Sequence, residues 1–197
     1  MLKKIKRSGT ALVTLMSLFF GTQAIAGIHL EPFVGYAMSG KMKTDSFTVA
    51  GTTVPAGDDS YTGSTLGARV GYSFLGLLGA IEYEMGTLSV DSASITNLGL
   101  TVGYTFPILL RAYATYVPSS KISLKDSDVE MMANGTGTKL GVGYTGLPFV
   151  ALNFEMAAYT YEKADLKFAA MPASDGEYTI NGTATHYAIN VSLPFNF

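Results

Sequence analysis

The chain has 197 residues, a formal net charge of −2 and no cysteine, and it is rich in glycine (22), tyrosine (12) and phenylalanine (11). The lack of cysteine excludes a disulfide framework. The slightly acidic balance argues against a basic nucleic-acid-binding surface, so we predict no nucleic-acid partner. The length corresponds to one domain.

The first 26 residues differ from the rest and have the three parts of a secretory signal peptide. Four cations form its positive region: Lys3, Lys4, Lys6 and Arg7. A mostly apolar core at 11–20 is shorter than the ~20 residues of a transmembrane helix. Ala-Ile-Ala at 24–26 fits a cleavage site. We predict a cleaved leader over residues 1–26 and one mature domain over residues 27–197; an uncleaved amphipathic anchor is the alternative.

The mature chain alternates large apolar residues with small or polar ones in eight segments, which predicts eight β-strands. The segments are 28–38, 64–74, 79–88, 95–106, 109–117, 136–145, 149–161 and a last one that includes 187–197. Tight turns are predicted after the second, fourth and sixth segments, and long polar loops at 39–63, 118–135 and 162–182. An even strand number with short turns on one rim and long loops on the other predicts an all-β fold, an eight-stranded antiparallel up-and-down transmembrane β-barrel.

In the last segment every odd position is large and apolar, and the chain stops on an aromatic residue. The even positions between them are small, polar or proline. The apolar positions are Tyr187, Ile189, Val191, Leu193, Phe195 and Phe197. A closing strand with one apolar face and an aromatic end is typical of a membrane barrel.

The charges within the strands indicate which face is outside. All fall on the small, glycine-rich face: Glu31, Arg69, Glu82, Glu84, Arg111, Lys139 and Glu155. In a membrane barrel this face lines the lumen, because a lipid-facing Arg or Lys at mid-depth costs about 2–4 kcal/mol. The apolar face carries seven tyrosines suited to an aromatic girdle at the membrane interface: Tyr36, Tyr72, Tyr83, Tyr104, Tyr116, Tyr144 and Tyr187.

With its leader, eight alternating segments and Leu193-Pro194-Phe195-Asn196-Phe197 ending, the chain resembles the small eight-stranded outer-membrane barrels of Gram-negative bacteria, the OmpA/OmpX type. The resemblance covers the whole mature chain. It implies a location in the bacterial outer membrane, contact with outer-membrane lipid and lipopolysaccharide, a monomeric state and no cofactor. It also implies that the barrel-assembly machinery reads Phe195 and Phe197 as an assembly signal. It does not imply what the loops bind.

The seven lumen charges are the strongest candidate site, either as a structural plug or as the lining of a small gated pore. An eight-stranded interior is only wide enough for side chains to fill, which favours the plug. Arg69 lies on the strand next to that of Glu82 and Glu84, so we predict that these pair, and that the other two cations serve the other two carboxylates. The carboxylate left over is protonated, hydrated or paired with His29.

Catalytic and metal sites receive little support from the sequence. Ser192 and His186 share a face but lie about 20 Å apart along a strand, too far for a nucleophile and its base. The acidic pair Asp58-Asp59 and the acidic segment 126–128 lack the spacing of a calcium loop. We predict a non-enzymatic barrel with a structural or loop-mediated role and no metal. A small-solute pore, an outer-membrane enzyme and a soluble lipocalin-like binder are the alternatives.

Overall fold

The computed structural model describes residues 26–49, 52–90, 93–125, 129–168 and 175–197. The predicted leader therefore lies outside the described residues, apart from residue 26. The strands are β1 (Gly27–Thr44), β2 (Phe47–Val49), β3 (Thr52–Val54), β4 (Gly57–Phe74), β5 (Leu77–Leu88), β6 (Ser94–Thr105), β7 (Leu110–Lys125), β8 (Val129–Leu147), β9 (Val150–Phe168), β10 (Gly176–Ser192) and β11 (Phe195–Asn196). Within the described ranges, no helix is long and apolar enough to cross a membrane.

β1 and β4 to β10 form a closed antiparallel barrel in which each strand pairs with its sequence neighbours. β10 closes the barrel against β1, with Tyr36 opposite Ile189. After a break at Pro194, β11 continues the line of β10 and places Phe195 opposite Leu30 of β1. The predicted eight-stranded up-and-down barrel, with its first and last strands paired, is confirmed. Closure leaves the barrel without an unpaired strand edge.

The two faces of the barrel wall have opposite polarity in the part of the barrel nearest the tight turns. Large apolar side chains point outward and are exposed, as at Val102 (64% exposed) and Leu140 (61%). We call the outward-facing residues of these strand segments the belt. The segments are 28–38, 66–74, 77–85, 98–106, 110–116, 140–147, 152–156 and 187–193. All seven predicted girdle tyrosines lie in it and are exposed. Glu31 and Arg69, in contrast, are buried inside. This is the arrangement of a transmembrane barrel and the reverse of a soluble one.

The prediction of long loops at 39–63, 118–135 and 162–182 is wrong for most of the described residues there, because the strands continue past the belt. β1 reaches Thr44 and β4 begins at Gly57, while β7 to β10 extend the wall still further. We call these extensions the crown: 40–44, 57–64, 86–88, 94–97, 118–125, 129–138, 160–168 and 176–185.

The alternation of the belt persists in the crown with its faces exchanged. Ile122, Leu166 and Ile180 point inward and are buried, whereas Thr160 and Thr183 point outward and are exposed. Ile122 and Ile180 join one apolar cluster inside the crown. Irregular pairing accompanies the change of polarity, with register shifts in β1, β7 and β8. Polar residues at every second position resemble a loop in the sequence, which explains the wrong prediction.

The short hairpin of β2 and β3 lies between β1 and β4 and covers part of the crown. Phe47 packs against the apolar cluster, and Val49 is buried. The backbone N–H of Asp45 donates to the carbonyl of Asn181, 2.9 Å away on β10. The hairpin thus supplies apolar side chains to the crown interior.

Three tight turns join β4 to β5, β6 to β7 and β8 to β9, as the sequence predicts. We call residues 75–76, 106–109 and 147–149 the turn rim. Leu75 (φ 48°), Leu109 (φ 64°) and Phe149 (φ 61°) adopt the left-handed conformation, as does Gly76 (φ 83°). Bulky residues at positive φ are uncommon and cost of order 1–3 kcal/mol each. The turn rim is therefore tight but strained.

Replacing a belt residue by arginine tests the assignment of the two faces. Leu100→Arg places a cation in the lipid and should lower the free energy of unfolding by about 2–4 kcal/mol, measured by urea titration in phospholipid vesicles. Thr160→Arg is the matched control, because Thr160 lies in the crown between Thr136 and Thr183. We expect it to change stability little. Equal losses in both variants would contradict the assignment.

Candidate functional site

A layer of polar side chains crosses the lumen at the level of the belt and the base of the crown, and joins all eight barrel strands through hydrogen bonds. One member from each strand, in chain order, is Glu31, Arg69, Glu82, Asn97, Arg111, Lys139, Glu155 and Ser192. Glu84 joins from β5. All seven charges predicted to face the lumen are buried there. We call this set the charged layer.

Arg69 stands at the centre of the charged layer and is 1% exposed. Its Nε donates to Glu82 Oε2 at 2.6 Å. Its Nη1 donates to Glu31 Oε1 at 3.3 Å, and its Nη2 to Glu155 Oε2 at 3.1 Å. Glu31 and Glu82 lie directly opposite Arg69 on the two neighbouring strands, so strand register brings two of the three carboxylates to it.

Two inward aromatic rings contact the same guanidinium. Its carbon lies 4.7 Å from the centre of the Phe33 ring and 4.4 Å from that of Tyr113. The electron-rich faces of aromatic rings attract cations, most strongly where water is excluded. Tyr113 also donates its hydroxyl to Glu155 Oε2 at 2.8 Å. These rings fix the plane in which Arg69 can hold its carboxylates.

Lys139 neutralises the carboxylates that Arg69 does not hold alone. Its Nζ donates to Glu84 Oε2 at 2.6 Å and to Glu82 Oε1 at 2.8 Å, and lies 3.8 Å from Glu155 Oε1. The predicted pairing of Arg69 with Glu82 is formed, but that with Glu84 is not. Glu84 binds Lys139 from across the lumen and Asn97 Nδ2 at 3.0 Å. Pairing across the lumen depends on three-dimensional closure, which adjacency of strands does not reveal.

Arg111 binds Glu31 with both terminal nitrogens, a bidentate arrangement with Nη1 2.9 Å from Oε2. Its Nε donates to Asn153 Oδ1 at 2.7 Å and its Nη2 to Ser192 Oγ at 3.1 Å. His29 Nε2 lies 3.1 Å from Glu31 Oε2, so the predicted contact of His29 with a carboxylate falls on Glu31. Glu31 therefore binds two arginines and a histidine.

The charged layer satisfies the condition under which buried ions persist. A buried charge costs several kcal/mol unless partners and hydrogen bonds surround it. Here each of the seven charged side chains has an opposite charge within 4 Å. Three uncharged contributors were not predicted as part of the site, although their inward position in the alternation was visible: Asn97, Tyr113 and Asn153. Ser120, which donates to Asn97 Oδ1, lies in a segment predicted to be a loop.

Above the charged layer the lumen is filled by the apolar cluster of the crown and by tyrosines. Tyr61 hydrogen-bonds His186 Nδ1 at 2.9 Å, and Tyr161 hydrogen-bonds Ser120 Oγ at 2.8 Å. Burial raises the pKa of the Tyr161 hydroxyl to about 12, and burial also holds the pKa of Tyr61 above its ordinary value. The space between these side chains is about 10 Å³, room for roughly one water molecule.

The remaining candidates from the sequence are the Ser192–His186 pair and the acidic residues at 58, 59, 126 and 128. Ser192 Oγ accepts hydrogen bonds from Arg111 and Asn153, while His186 is bound to Tyr61, so the two are not a nucleophile and its base. Asp58 lies 3.4 Å from Lys43 on the exposed surface of the crown. The acidic segment 126–128 lies outside the described residues. In the described ranges no group of three or more histidines or acidic residues could hold a metal ion.

No protein-family model and no curated protein matches this chain. Solved structures do match. The crystal structure of Neisserial surface protein A (NspA) is 14% identical with a TM-score of 0.53, and the alignment covers 87% of this chain and 99% of NspA. The solid-state NMR structure of the outer-membrane protein AlkL is 14% identical with a TM-score of 0.55. The alignment covers 87% of this chain and 91% of AlkL. The fold is that of a small outer-membrane barrel.

A third solved structure is that of the outer-membrane protein OprG from Pseudomonas aeruginosa, which is 12% identical with a TM-score of 0.48. The alignment covers 89% of this chain and 99% of OprG. At these identities the likeness concerns the path of the chain and not the role of any side chain. The charged layer therefore has to be interpreted from its own geometry.

Removing Arg69 tests the charged layer. Arg69→Gln strands carboxylates in the lumen and should lower the free energy of unfolding by roughly 3–5 kcal/mol, measured by urea titration in vesicles. Adding Glu82→Gln should recover part of the loss, because Glu82 receives the 2.6 Å hydrogen bond from Arg69 Nε. Adding Glu84→Gln instead should recover little, since Glu84 is bound to Lys139. Strictly additive effects of Arg69→Gln and Glu82→Gln would show that the pair is not coupled.

Proposed function

We propose that this protein is an integral outer-membrane protein without enzymatic activity, whose barrel is plugged and whose role is structural or carried by interactions of its crown and loops. One observation carries the proposal: side chains from all eight strands meet in the charged layer and hydrogen-bond across the lumen. A conducting pore needs a continuous aqueous path, and the paired charges occupy the place where such a path would run.

The crown supports an outward-facing role. Its wall is polar outside and apolar inside, so it stands in water as a rigid extension of the membrane segment. Short turns on the periplasmic side and longer connections outside are the ordinary orientation of such barrels. We therefore propose that the turn rim faces the periplasm and that the crown faces the cell exterior. The paired crown strands carry the strand ends away from the membrane surface, where a partner in solution can reach them.

The proposed partners follow from the same placement. The belt contacts outer-membrane lipid, and the outward residues just above it lie at the level of lipopolysaccharide head groups. We propose that the barrel-assembly machinery reads Phe195 and Phe197 during biogenesis, that the mature protein is a monomer, and that it needs no cofactor. The leader over residues 1–26 accounts for export to this location.

Conductance distinguishes the plug from the small-solute pore. In planar bilayers, the wild-type protein should show little or no steady current. Arg69→Gln combined with Glu82→Gln and Glu84→Gln should raise it only modestly, because neutral side chains still fill the lumen. Thr160→Arg, which leaves the lumen intact, should be as silent as wild type. A stable, ion-selective open channel in the wild-type protein would reject the plug and establish the pore.

Changes at the chain end test the assembly signal. Phe197→Asp should lower the yield of folded protein in the outer membrane, followed as the fraction that migrates differently on gels before and after boiling. Asn196→Asp should assemble better, since a carboxylate can still accept the hydrogen bonds that Asn196 Oδ1 receives from Ser73 and shares with His29. Equal assembly of the two variants would contradict the role of Phe197, and recovery of wild type as a soluble periplasmic protein would contradict the membrane location.

A further inference from the structure

The turn rim is apolar, although the turns of a barrel that end in water usually carry polar residues. Leu75, Ile108 and Phe149 are 61%, 70% and 77% exposed on the protein. The three turn segments with their flanking residues, 72–80, 104–110 and 144–152, contain no Asp, Glu, Lys or Arg. Turns are dominated by Gly, Pro, Asn, Asp and Ser. The turn rim has Gly76, Pro107 and Pro148 but none of the three polar types. A continuous exposed apolar surface marks a place where something other than water is bound.

The backbone of the turn rim is also adapted to surroundings without water. The N–H of Thr105 donates to the carbonyl of Gly76 at 2.8 Å. The N–H and the hydroxyl of Thr145 both donate to the carbonyl of Leu109, at 2.8 and 3.1 Å. Each of these bonds ties one turn to the start of the next. Backbone groups in a lipid environment have to be satisfied within the protein in this way.

The strain in the turns indicates that the apolar side chains have a use. Leu75, Leu109 and Phe149 hold a left-handed conformation that glycine or asparagine adopts far more readily. A strained backbone persists only where its surroundings compensate for it. The paired strands that flank the turns hold this backbone, as Phe74 opposite Leu77 does for Leu75. The turns therefore do not require large apolar side chains, yet those of Leu75 and Phe149 project away from the protein.

The height of the belt supplies the missing partner. On β4, β5 and β6 the belt covers residues 66–74, 77–85 and 98–106. At a rise of ~3.3 Å per residue and a tilt of ~40°, each run spans about 20 Å, whereas the apolar band of such barrels is about 25 Å tall. Toward the crown the next outward residues are the polar Ser64, Thr87 and Thr96, so the belt can be completed only at the turn rim.

The lower tyrosines agree with this placement. Tyr72 and Tyr104 each lie one outward position above an apolar residue, Phe74 and Phe106. Interfacial tyrosines normally mark the level of the lipid head groups, beyond which a chain enters water. Here the chain beyond them is phenylalanine and leucine, so the boundary of the lipid lies past these tyrosines.

We propose that the turn rim is a phospholipid-binding surface: its three turns are immersed in the adjacent leaflet, in contact with the glycerol and upper acyl region, and do not project into water. The surface is continuous with the exposed apolar side chains of the belt. In the orientation proposed above this is the inner leaflet, and only the name of the leaflet rests on that proposal. The plug and the crown are independent of it.

Single-cysteine probes test the immersion, because the natural chain contains no cysteine. Ile108→Cys and Phe149→Cys are labelled with an environment-sensitive fluorophore and placed in phosphatidylcholine nanodiscs, which leave both faces open to solution. Val102→Cys in the belt and Thr183→Cys in the crown are the lipid and water controls. We expect the rim probes to be quenched by a lipid with a nitroxide high on its acyl chain, at least half as strongly as Val102→Cys. Iodide in solution should quench them several-fold less than it quenches Thr183→Cys.

The other outcomes each overturn the proposal. Strong quenching by iodide with little quenching by the nitroxide lipid would show that the rim projects into water. Protection from both quenchers would show that a protein surface, such as a second copy of this chain, covers the rim. Repeating the measurement with one barrel per nanodisc separates that case from lipid contact. Silent conductance of the same variants in planar bilayers would leave the proposed plug standing whichever result is obtained.

A pair of substitutions supplies a second readout. Leu75→Gly and Leu75→Asn both relieve the left-handed backbone, but only asparagine adds a polar group. If the rim lies in lipid, Leu75→Asn should unfold at a lower urea concentration in vesicles than Leu75→Gly. An equal or higher midpoint for Leu75→Asn would contradict immersion, because in water the amide carries no penalty.

Discussion

The guanidinium of Arg69 lies in a lumen too narrow for bulk water, so fixed groups of the protein have to balance its charge. Three carboxylates do so, and two aromatic rings contact its faces. The space for those rings comes from glycine. A Cβ at Gly141 would lie 2.1 Å from the Tyr113 ring, and one at Gly67 would lie 2.4 Å from the Phe33 ring. The glycine-rich inner face is therefore a requirement of the buried cation.

The interior of the barrel has two regions, one inside the belt and one inside the crown, which are stabilised by different interactions. In the belt region the interior is ionic and hydrogen-bonded, and the outside is apolar. In the crown the interior is an apolar cluster in which Ile122, Ala164 and Ile180 are buried, and the outside is polar. Burial of apolar surface stabilises the crown because water surrounds it. Inside the lipid no such gain exists for the outer face, so the lumen contacts and the closed hydrogen-bond ladder hold the lower half.

The sequence predicts the fold well because alternation and the placement of charges are local signals. Glu31, Arg69 and Lys139 could be assigned to the lumen from their position in the period of two alone. The sequence does not predict which carboxylate each cation binds. Lys139 reaches Glu84 across the lumen, and that distance depends on the stagger of strands in the closed barrel. Adjacent strands, by contrast, placed Glu82 beside Arg69 correctly.

The crown was missed for a different reason. Thr183 and Ile180 obey the same alternation as Val191 and Asn190, but polarity is exchanged between the faces. A prediction based on a single apolar outer face ends the strand at the point where the polarity is exchanged. The left-handed conformation in the turns was not predicted either, because Leu75 and Phe149 are not residue types that indicate a positive φ. The participation of Asn97 and Asn153 could have been suspected from their inward position on strands that carry lumen charges.

The exchanged polarity of the crown affects the rate at which the protein inserts into the membrane. In the proposed orientation, the crown strands have to pass through the hydrocarbon before they stand in water on the far side. While they cross, Lys163, Lys167 and Glu177 on the outer surface meet lipid without solvation. Lys43 on β1 and Asp58 on β4 are exposed in the same way, so the slow step of insertion should be the passage of the crown strands that carry these charges. Bilayers that are thinner or contain packing defects should shorten that step.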